Sequence, residues 1–278
     1  MRTGLRPFRH RRLPENGAEL RRSRNVTLPF PAILNFVGQS SGHEIEIKLA
    51  VPDIAAVERR LAALGARRGP RMHEVNAVFD TPDARLRRRG QLLRLRVEWR
   101  VEWRVGGRRA DAGLGLADGA RGDRSVRLAA MLFPASRRQS ALVTLKARVQ
   151  GVAAGRAKPR RSSPPGRPAY KVRQEIEFPV PDSAAYRDVL ADLGFRPAFY
   201  YEKFRTLYRL PGLSGVAVAL DETPIGTFLE LEGRPGAIAR ARKRLGYEPR
   251  DVILQSYGAL YAAQQRARRQ PFRHMLFG

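Results

Sequence analysis

Charged and apolar residues alternate with a period of two in the segment Glu44-Ile45-Glu46-Ile47-Lys48. Because successive side chains of a β-strand point to opposite faces, this segment predicts a strand with one charged face and one hydrocarbon face. A buried charged face is stable only if its charges are paired or bind an ion, since an isolated buried charge costs several kcal/mol. Exposure to solvent would explain one such strand but not the return of the same pattern along the chain.

The alternation returns in five later segments, each with charged residues on one face and mostly apolar residues on the other. Inward-pointing charges predict strands closed into a barrel with a polar lumen, whereas outward-pointing charges predict an ordinary sheet with one solvated face. The recurrence of Glu, Lys and Arg in six segments favours the barrel. The later charged positions are Arg94 and Arg96, Lys146 and Arg148, Arg173, Glu175 and Glu177, Lys203 and Arg205, and Glu230 and Glu232.

Two amphipathic helices are predicted, and their surroundings repeat each other. Asp53 and Asp182 are expected N-caps that follow a Val-Pro pair, and the two helices end at Gly65 and Gly194, each preceded by Leu. The strands before these helices also align without gaps. This repetition indicates an internal duplication, and therefore one domain with two pseudo-equivalent halves.

The predicted fold class is α+β, an eight-stranded and mainly antiparallel β-barrel with helices packed outside. Several connections between strands are too short for the crossovers that parallel pairing requires. Two more helices are predicted near the C-terminus. The predicted strands are 43–50, 75–80, 91–100, 141–148, 171–179, 201–209, 215–221 and 227–232, and the C-terminal helices are 235–245 and 252 to about 267.

Composition limits the classes of partner and of metal site. The 278 residues carry a formal net charge of +27, which favours polyanionic partners such as phosphates or nucleic acid. The chain contains no cysteine, so disulfides and thiolate metal sites are excluded, and hard cations bound by oxygen remain. No apolar run reaches transmembrane length, and no signal-peptide core is evident, so the expected location is cytoplasmic without membrane contact.

The barrel domain is predicted to occupy residues 42–268, followed by a tail over 269–278. Residues 1–41 are rich in arginine without periodicity, and they are predicted to be a disordered extension that could bind nucleic acid non-specifically. Two flexible insertions are predicted at about 101–140 and 151–168, where glycine, proline, serine and arginine accumulate. The oligomeric state does not follow from the sequence.

Charged side chains that face the lumen would provide both a metal site and an anion site. Two Glu-x-Glu pairs, on the first and last strands, would provide an oxygen site for Mg²⁺ or Mn²⁺. The Lys and Arg residues of the lumen would repel one another unless an anion such as a polyphosphate neutralised them. Charge stabilisation of this kind is most of what phosphoryl transfer requires, so metal and cations together favour catalysis over simple binding.

A series of short motifs occurs in a fixed order over roughly residues 42–265, and together they resemble the CYTH superfamily of triphosphate tunnel metalloenzymes. This superfamily includes class IV adenylate cyclases, thiamine triphosphatases and inorganic triphosphatases, and the resemblance implies an eight-stranded antiparallel tunnel. The motifs are Glu44-x-Glu46-x-Lys48, Phe79-Asp80-Thr81-Pro82-Asp83, Leu93-Arg94-Leu95-Arg96, Thr144-Leu145-Lys146, Arg173-x-Glu175-x-Glu177, Glu202-Lys203-Phe204-Arg205, Asp221-Glu222, Gly226 to Gly233, and Ser256-Tyr257.

The resemblance also implies roles for individual residues. Lys203 is expected to lie near the reacting phosphate as the catalytic residue, and in some hydrolytic members a Lys at this place works with a Tyr to activate water. Val78 occupies the position of the matching aromatic, and this departure puts the Lys–Tyr scheme in doubt. The expected metal ligands are Glu44, Glu46, Asp221, Glu230 and Glu232. Glu175 and Glu177 are expected either to bind metal or to position arginines. The expected triphosphate-binding residues are Lys48, Arg94, Arg96, Lys146, Arg148, Arg173, Lys203 and Arg205.

Three functions compete at this stage. The favoured one is metal-dependent hydrolysis of the terminal phosphate of an inorganic, thiamine or nucleoside triphosphate, because hydrolysis needs only an in-line water. A class IV adenylate cyclase, which makes cAMP and pyrophosphate from ATP, must also orient a ribose hydroxyl and a base. The third is a non-catalytic protein that binds polyphosphate or RNA, which the net charge supports and the lumen carboxylates disfavour.

Overall fold

The computed structural model describes residues 42–101, 140–149 and 170–278. The predicted extension over 1–41 lies outside the described residues, as do nearly all of the insertions predicted at about 101–140 and 151–168. Those predictions therefore stay untested by the structure.

Eight antiparallel strands form a closed barrel. They follow one another around the wall in the order β5-β4-β3-β2-β6-β7-β8-β1, and β1 pairs with β5 to close it. The prediction of an eight-stranded antiparallel barrel is thus confirmed. The strands are β1 His43–Val51, β2 Arg67–Asp80, β3 Leu92–Arg100, β4 Ser140–Arg148, β5 Lys171–Val180, β6 Arg196–Arg209, β7 Val216–Thr223 and β8 Gly226–Gly233.

Five α-helices within the described ranges lie outside the barrel, and the two predicted as duplicates are built alike. The Asp53 carboxylate accepts a hydrogen bond from the backbone of the first helix, and Asp182 accepts two from the third. Gly65 and Gly194 end these helices with positive φ angles of 67° and 85°, which glycine adopts without strain. The helices are α1 Ile54–Ala63, α2 Arg85–Arg88, α3 Ser183–Asp192, α4 Pro235–Arg244 and α5 Tyr257–Ala267.

The hydrophobic core lies between the outer face of the barrel wall and the helices. Ile47 and Leu49 of β1 pack in one cluster with Leu61 of α1 and Ile238 of α4. A second cluster joins strands β2, β3 and β4 to Leu190 of α3. Because the apolar face of each strand is used on the outside, its charged face is left for the lumen. None of the helices in the described ranges is long and apolar enough to cross a membrane.

Three predicted boundaries are wrong, and one of them is the start of β6, which begins at Arg196 instead of residue 201. The last helix does not begin at Val252: residues Val252–Ile253 form a short strand, β9, which pairs with β1, and the helix begins at Tyr257 after the N-cap Ser256. β-Branched side chains favour the strand at this point, and the Ser256 hydroxyl satisfies the backbone of the helix that follows. β2 begins at Arg67, eight residues before the predicted start, with an irregular register between Arg68 and Arg71.

The last residues of the chain cover a free edge of β6. Met275 is fully buried and pairs in parallel with Tyr201, beyond the point where β7 pairs with β6. The Glu202 carboxylate accepts a hydrogen bond of 2.6 Å from the backbone N–H of Phe277. The segment called a tail thus contacts the barrel through Met275 and the backbone of Phe277, while most of its other residues are exposed.

Candidate active site

The predicted charged faces meet inside the barrel. In the pairing of β1 with β8, Glu46 lies opposite Glu232, and Lys48 lies opposite Glu230. Lys146 of β4 donates hydrogen bonds of 2.6 and 2.7 Å to Glu44 of β1, although β5 stands between these strands. Side chains can reach across an intervening strand only on the concave face of the wall. The charges therefore line the lumen, where Glu44, Glu46 and Lys48 are buried.

Asp221 is the centre of the first lumen cluster. Its carboxylate accepts hydrogen bonds from Lys203 at 2.9 Å, from Arg205 at 2.6 Å and from the Tyr257 hydroxyl at 2.8 Å. Lys203 is also 3.5 Å from Glu74. Asp221 thus holds Lys203 and Arg205 in place in this structure, and its role as a metal ligand stays a prediction.

Lys48 and Glu230 connect this cluster to β1. Lys48 contacts Glu230 at 2.7 Å and Glu46 at 3.1 Å, and Arg205 also pairs with Glu230. Burial by itself lowers the pKa of Lys48, but the Glu230 and Glu46 carboxylates outweigh it and raise that pKa above its usual value. Burial likewise opposes ionisation of Glu46, yet Lys48 and other cations lower the pKa of Glu46 to about 2. Both groups are therefore charged at neutral pH.

Glu232 differs from the other lumen glutamates. It makes no ion pair with any described residue, whereas Glu44 and Glu175 share Lys146, and Glu46 pairs with Lys171. Burial, followed by the nearby Glu44 carboxylate, raises the pKa of Glu232 to about 8. This part of the lumen thus has more carboxylates than cations, which an added cation would correct.

This carboxylate group fits a hard divalent cation in its chemistry, because it offers several oxygen donors and an uncompensated negative charge. Among the described residues, no three acidic or histidine side chains already lie in an arrangement that could hold a metal ion. Lys146 and Lys171 occupy part of the carboxylate oxygens instead. Binding of a metal by this set would therefore require these lysines to move away from Glu44 and Glu46.

Arg94 and Arg96 form a further lumen cluster with Glu177. Arg94 donates hydrogen bonds to Thr144 at 3.0 Å and to the Tyr201 hydroxyl at 3.2 Å. Glu177 lies 3.5 Å from Arg94 and 3.4 Å from Arg96, and it accepts a 2.6 Å hydrogen bond from Thr144. Of the two roles open for Glu177, this arrangement matches the positioning of arginines. Glu175 pairs with Lys146 at 3.3 Å.

Arg148 and Arg173 lie at one end of the lumen. They stand directly opposite each other in the pairing of β4 with β5, and neither forms an ion pair with the described part of the chain. The Arg148 side chain passes over Gly90, where an added Cβ would come within 2.3 Å of its guanidinium group. Two facing guanidinium groups without a counter-ion favour the approach of an anion at this end.

Several lumen residues were not predicted as site residues, among them Glu98, which pairs with Arg96 at 3.4 Å. Glu74 and Asn76 were missed because the expected start of β2 at residue 75 left no alternating run around them. Lys171 continues the alternation of β5, so the pattern contained a signal for it. Tyr201 precedes Lys203 by two residues on the same face. Tyr257 was only part of a motif, and its place in the lumen depends on the packing of α5.

The comparisons with known proteins agree with this architecture. The CYTH domain matches residues 42–257 of the chain. The PH1819 protein from Pyrococcus horikoshii shares the fold, with a TM-score of 0.51 and 18% identity over 80% of this chain and 99% of that one. A comparison with curated proteins found no match.

Two other solved structures were found with lower structural similarity. One is a candidate adenylate cyclase from Vibrio parahaemolyticus, with a TM-score of 0.49 and 15% identity over 77% of this chain and 94% of that one. The other is a candidate adenylyl cyclase from Hippeastrum described as having a dominant triphosphatase activity, with a TM-score of 0.46 and 18% identity over 80% of this chain and 96% of that one. With its fold and with a domain match over most of its length, this chain belongs to the CYTH family.

Proposed function

We propose that this protein is a divalent-metal-dependent enzyme that hydrolyses the terminal phosphate of a triphosphate. The observation that carries the proposal is the composition of the lumen, where closely packed Lys and Arg side chains face an excess of carboxylates around Glu232. A binder of anions alone gains nothing from buried glutamates, whereas a metal–triphosphate complex satisfies both sets of charges. The proposed substrates are inorganic triphosphate and triphosphates that carry an organic group, and the experiment below distinguishes them.

The proposed roles follow the positions of the residues. Mg²⁺ or Mn²⁺ would be held by Glu44, Glu46, Glu230 and Glu232, and it would supply positive charge to the phosphate oxygens. Arg94, Arg96, Lys48 and Arg205 would hold the triphosphate chain, with Arg148 and Arg173 drawing it in at the end of the lumen. Lys203, held by Asp221, would stabilise the negative charge on the phosphate that reacts.

Product analysis tests this function. The purified protein is incubated with inorganic triphosphate, thiamine triphosphate and ATP, each with Mg²⁺, Mn²⁺ or EDTA. Orthophosphate that disappears with EDTA is the expected result, and the relative rates identify the substrate. Formation of cAMP and pyrophosphate would make the protein a cyclase, and a lack of turnover with tight triphosphate binding would make it a binding protein.

A matched pair of variants links the activity to the lumen. Glu46→Gln removes a buried lumen carboxylate without changing the size of the side chain, and we expect about a 100-fold lower metal-dependent rate. Glu222→Gln is the control, because Glu222 lies on the outer face of β7 and pairs with Arg71 at 2.8 Å. The control should keep the parent rate. Equal rates for both variants would contradict the assignment of the lumen as the active site.

A further inference from the structure

Asn76 has a buried side-chain amide that takes no part in the ion pairs and hydrogen bonds of the lumen. The residue is fully buried on β2, two positions after Glu74 and on the same face. Neither the Oδ1 nor the Nδ2 atom of its amide has a hydrogen-bond partner among the described residues. Buried amides are nearly always paired, and an unpaired one costs about 1–3 kcal/mol. An unpaired amide inside a proposed substrate tunnel therefore indicates a missing ligand.

The neighbours of Asn76 are also incompletely paired. Asn76 lies opposite Arg96 on β3 and opposite Tyr201 on β6. The Nε atom of Arg94 is buried without a hydrogen-bond partner in the described part of the chain, and the Nε atom of Arg96 forms no hydrogen bond there, although it lies 3.4 Å from the Glu98 carboxylate. The Tyr201 hydroxyl accepts a hydrogen bond from Arg94 at 3.2 Å, which leaves its own proton available to another acceptor. Asn76, Arg94, Arg96 and Tyr201 form what we call the Asn76 subsite.

The unpaired atoms of the Asn76 subsite require two kinds of ligand atom. Phosphate oxygens accept hydrogen bonds, so a phosphate group would satisfy the guanidinium N–H groups, the tyrosine hydroxyl and the Asn76 Nδ2 atom. A fully ionised phosphate cannot satisfy the Oδ1 atom, because that atom is itself an acceptor. Only a ligand that carries hydrogen, such as water, can donate to it. The subsite thus combines a place for a phosphate with a place for a proton donor.

We propose that Asn76 holds the attacking water beside the terminal phosphate bound by Arg94 and Arg96. This inference rests on the proposed hydrolytic function and adds the residue that orients the nucleophile. The water oxygen forms a bond to the terminal phosphorus, and the bond from that phosphorus to the bridging oxygen breaks, with its electron pair leaving on diphosphate. One hydrogen of the water stays on the orthophosphate, and the other passes to the diphosphate. Tyr201 and Val78, which occupies the position where the resemblance expects an aromatic residue, pack against the same hydrophobic cluster.

Asn76→Leu and Asn76→Thr test this role. Leucine has a similar volume and no polar atom, so Asn76→Leu should lower kcat for the preferred triphosphate by about 100-fold through loss of orientation. Threonine keeps one donor and one acceptor, and Asn76→Thr should stay within about 10-fold of the parent kcat. Binding of inorganic triphosphate in EDTA, measured by calorimetry, should change by less than about threefold in both variants, because the guanidinium groups that bind phosphate remain.

Thermal unfolding separates this role from a structural one. Asn76→Leu removes an unpaired buried amide, so the melting temperature should be equal to or higher than that of the parent. The control is Thr223→Val, which removes a buried hydroxyl that donates a 2.6 Å hydrogen bond to the Gly226 carbonyl. This control should melt at a lower temperature and keep the parent kcat.

The outcomes distinguish the inference from the function on which it rests. An unchanged kcat in Asn76→Leu, with an active parent, would overturn the role of Asn76 alone. A lower melting temperature with an unchanged kcat would show that the amide is structural, and would also overturn it. A parent protein that forms no orthophosphate from any triphosphate would overturn the proposed function first and the inference with it.

Discussion

At the scale of single residues, the pKa of a lumen carboxyl depends on whether cations or other carboxylates lie next to it. Burial by itself raises the pKa of Glu46 and of Glu232, and the charges nearest to each then decide whether that effect survives. The cations around Glu46 reverse it, whereas Glu232 is surrounded mainly by other carboxylates. Two glutamates that stand opposite each other on β1 and β8 thus have opposite pKa shifts. If the proposed metal binds here, its binding would displace the proton of Glu232 near neutral pH.

The raised pKa of Glu232, about 8, predicts how the metal-free protein responds to pH. In the unfolded chain this group ionises near its usual pKa of about 4.3, so its contribution to stability is complete below that pH. The contribution is lost as the pH rises through the interval up to about 8, because the buried carboxyl must then ionise. In EDTA, Glu232→Gln should therefore melt on the order of 5 °C above the parent at pH 9 and close to the parent at pH 5. A constant difference across this interval would contradict the assignment.

Asp221 should be the most sensitive structural residue of the lumen. Asp221→Asn removes the negative charge that holds Lys203 and Arg205, and it leaves both cations buried without their main partner. Loss of one partner in a buried ion pair costs about 3–5 kcal/mol, so urea denaturation should show a decrease of that size in the free energy of unfolding. Glu222→Gln, one residue further along on the outer face, should decrease it by less than about 1 kcal/mol. Similar decreases for both would show that Asp221 is not a central partner.

At the scale of secondary structure elements, the sequence was informative wherever a local rule applied. The capped helices after β1 and β5 follow from Asp53, Asp182 and the two Leu-Gly ends, and all of these were predicted. Gly69 and Pro70 are poor strand formers, yet β2 continues through them with an irregular register. Pairing with β6 compensates there for poor strand formers, and such tertiary support has no signal in the local sequence.

The third helix, α3, offers a test of how the helices hold the barrel wall. Leu190 is 4% exposed in the cluster over β2, β3 and β4, whereas Leu193, at the end of the same helix, is 67% exposed. Leu190→Ala should decrease the free energy of unfolding by about 2–5 kcal/mol, and Leu193→Ala by less than about 0.5 kcal/mol. Guanidinium denaturation of both variants measures this difference. Equal effects would mean that α3 does not pack through the face seen here.

At the scale of the whole molecule, barrel closure decides the meaning of the charge pattern. Alternation around Glu44 and in the later segments was compatible with inward or outward charges, and only the pairing of β1 with β5 makes the face inward. Most lumen positions were predicted for this reason, since one repeated pattern assigns them together. The partners within the lumen could not be predicted, because contacts such as that between Lys146 and Glu44 depend on register and on the curvature of the wall.

The end of the chain gives a final prediction at this scale. β6 is longer than β7, so its first residues have an open edge, and Met275 occupies that edge with its backbone and is fully buried. Met275→Ala should decrease the free energy of unfolding by about 2–5 kcal/mol, whereas Arg273→Ala, at an exposed position, should have little effect. Removal of residues 270–278 should in addition expose the edge of β6 and increase self-association, which light scattering detects. A truncated protein with the same association state and the same stability as the parent would show that the barrel does not need this segment, as expected of the tail that the sequence alone predicted.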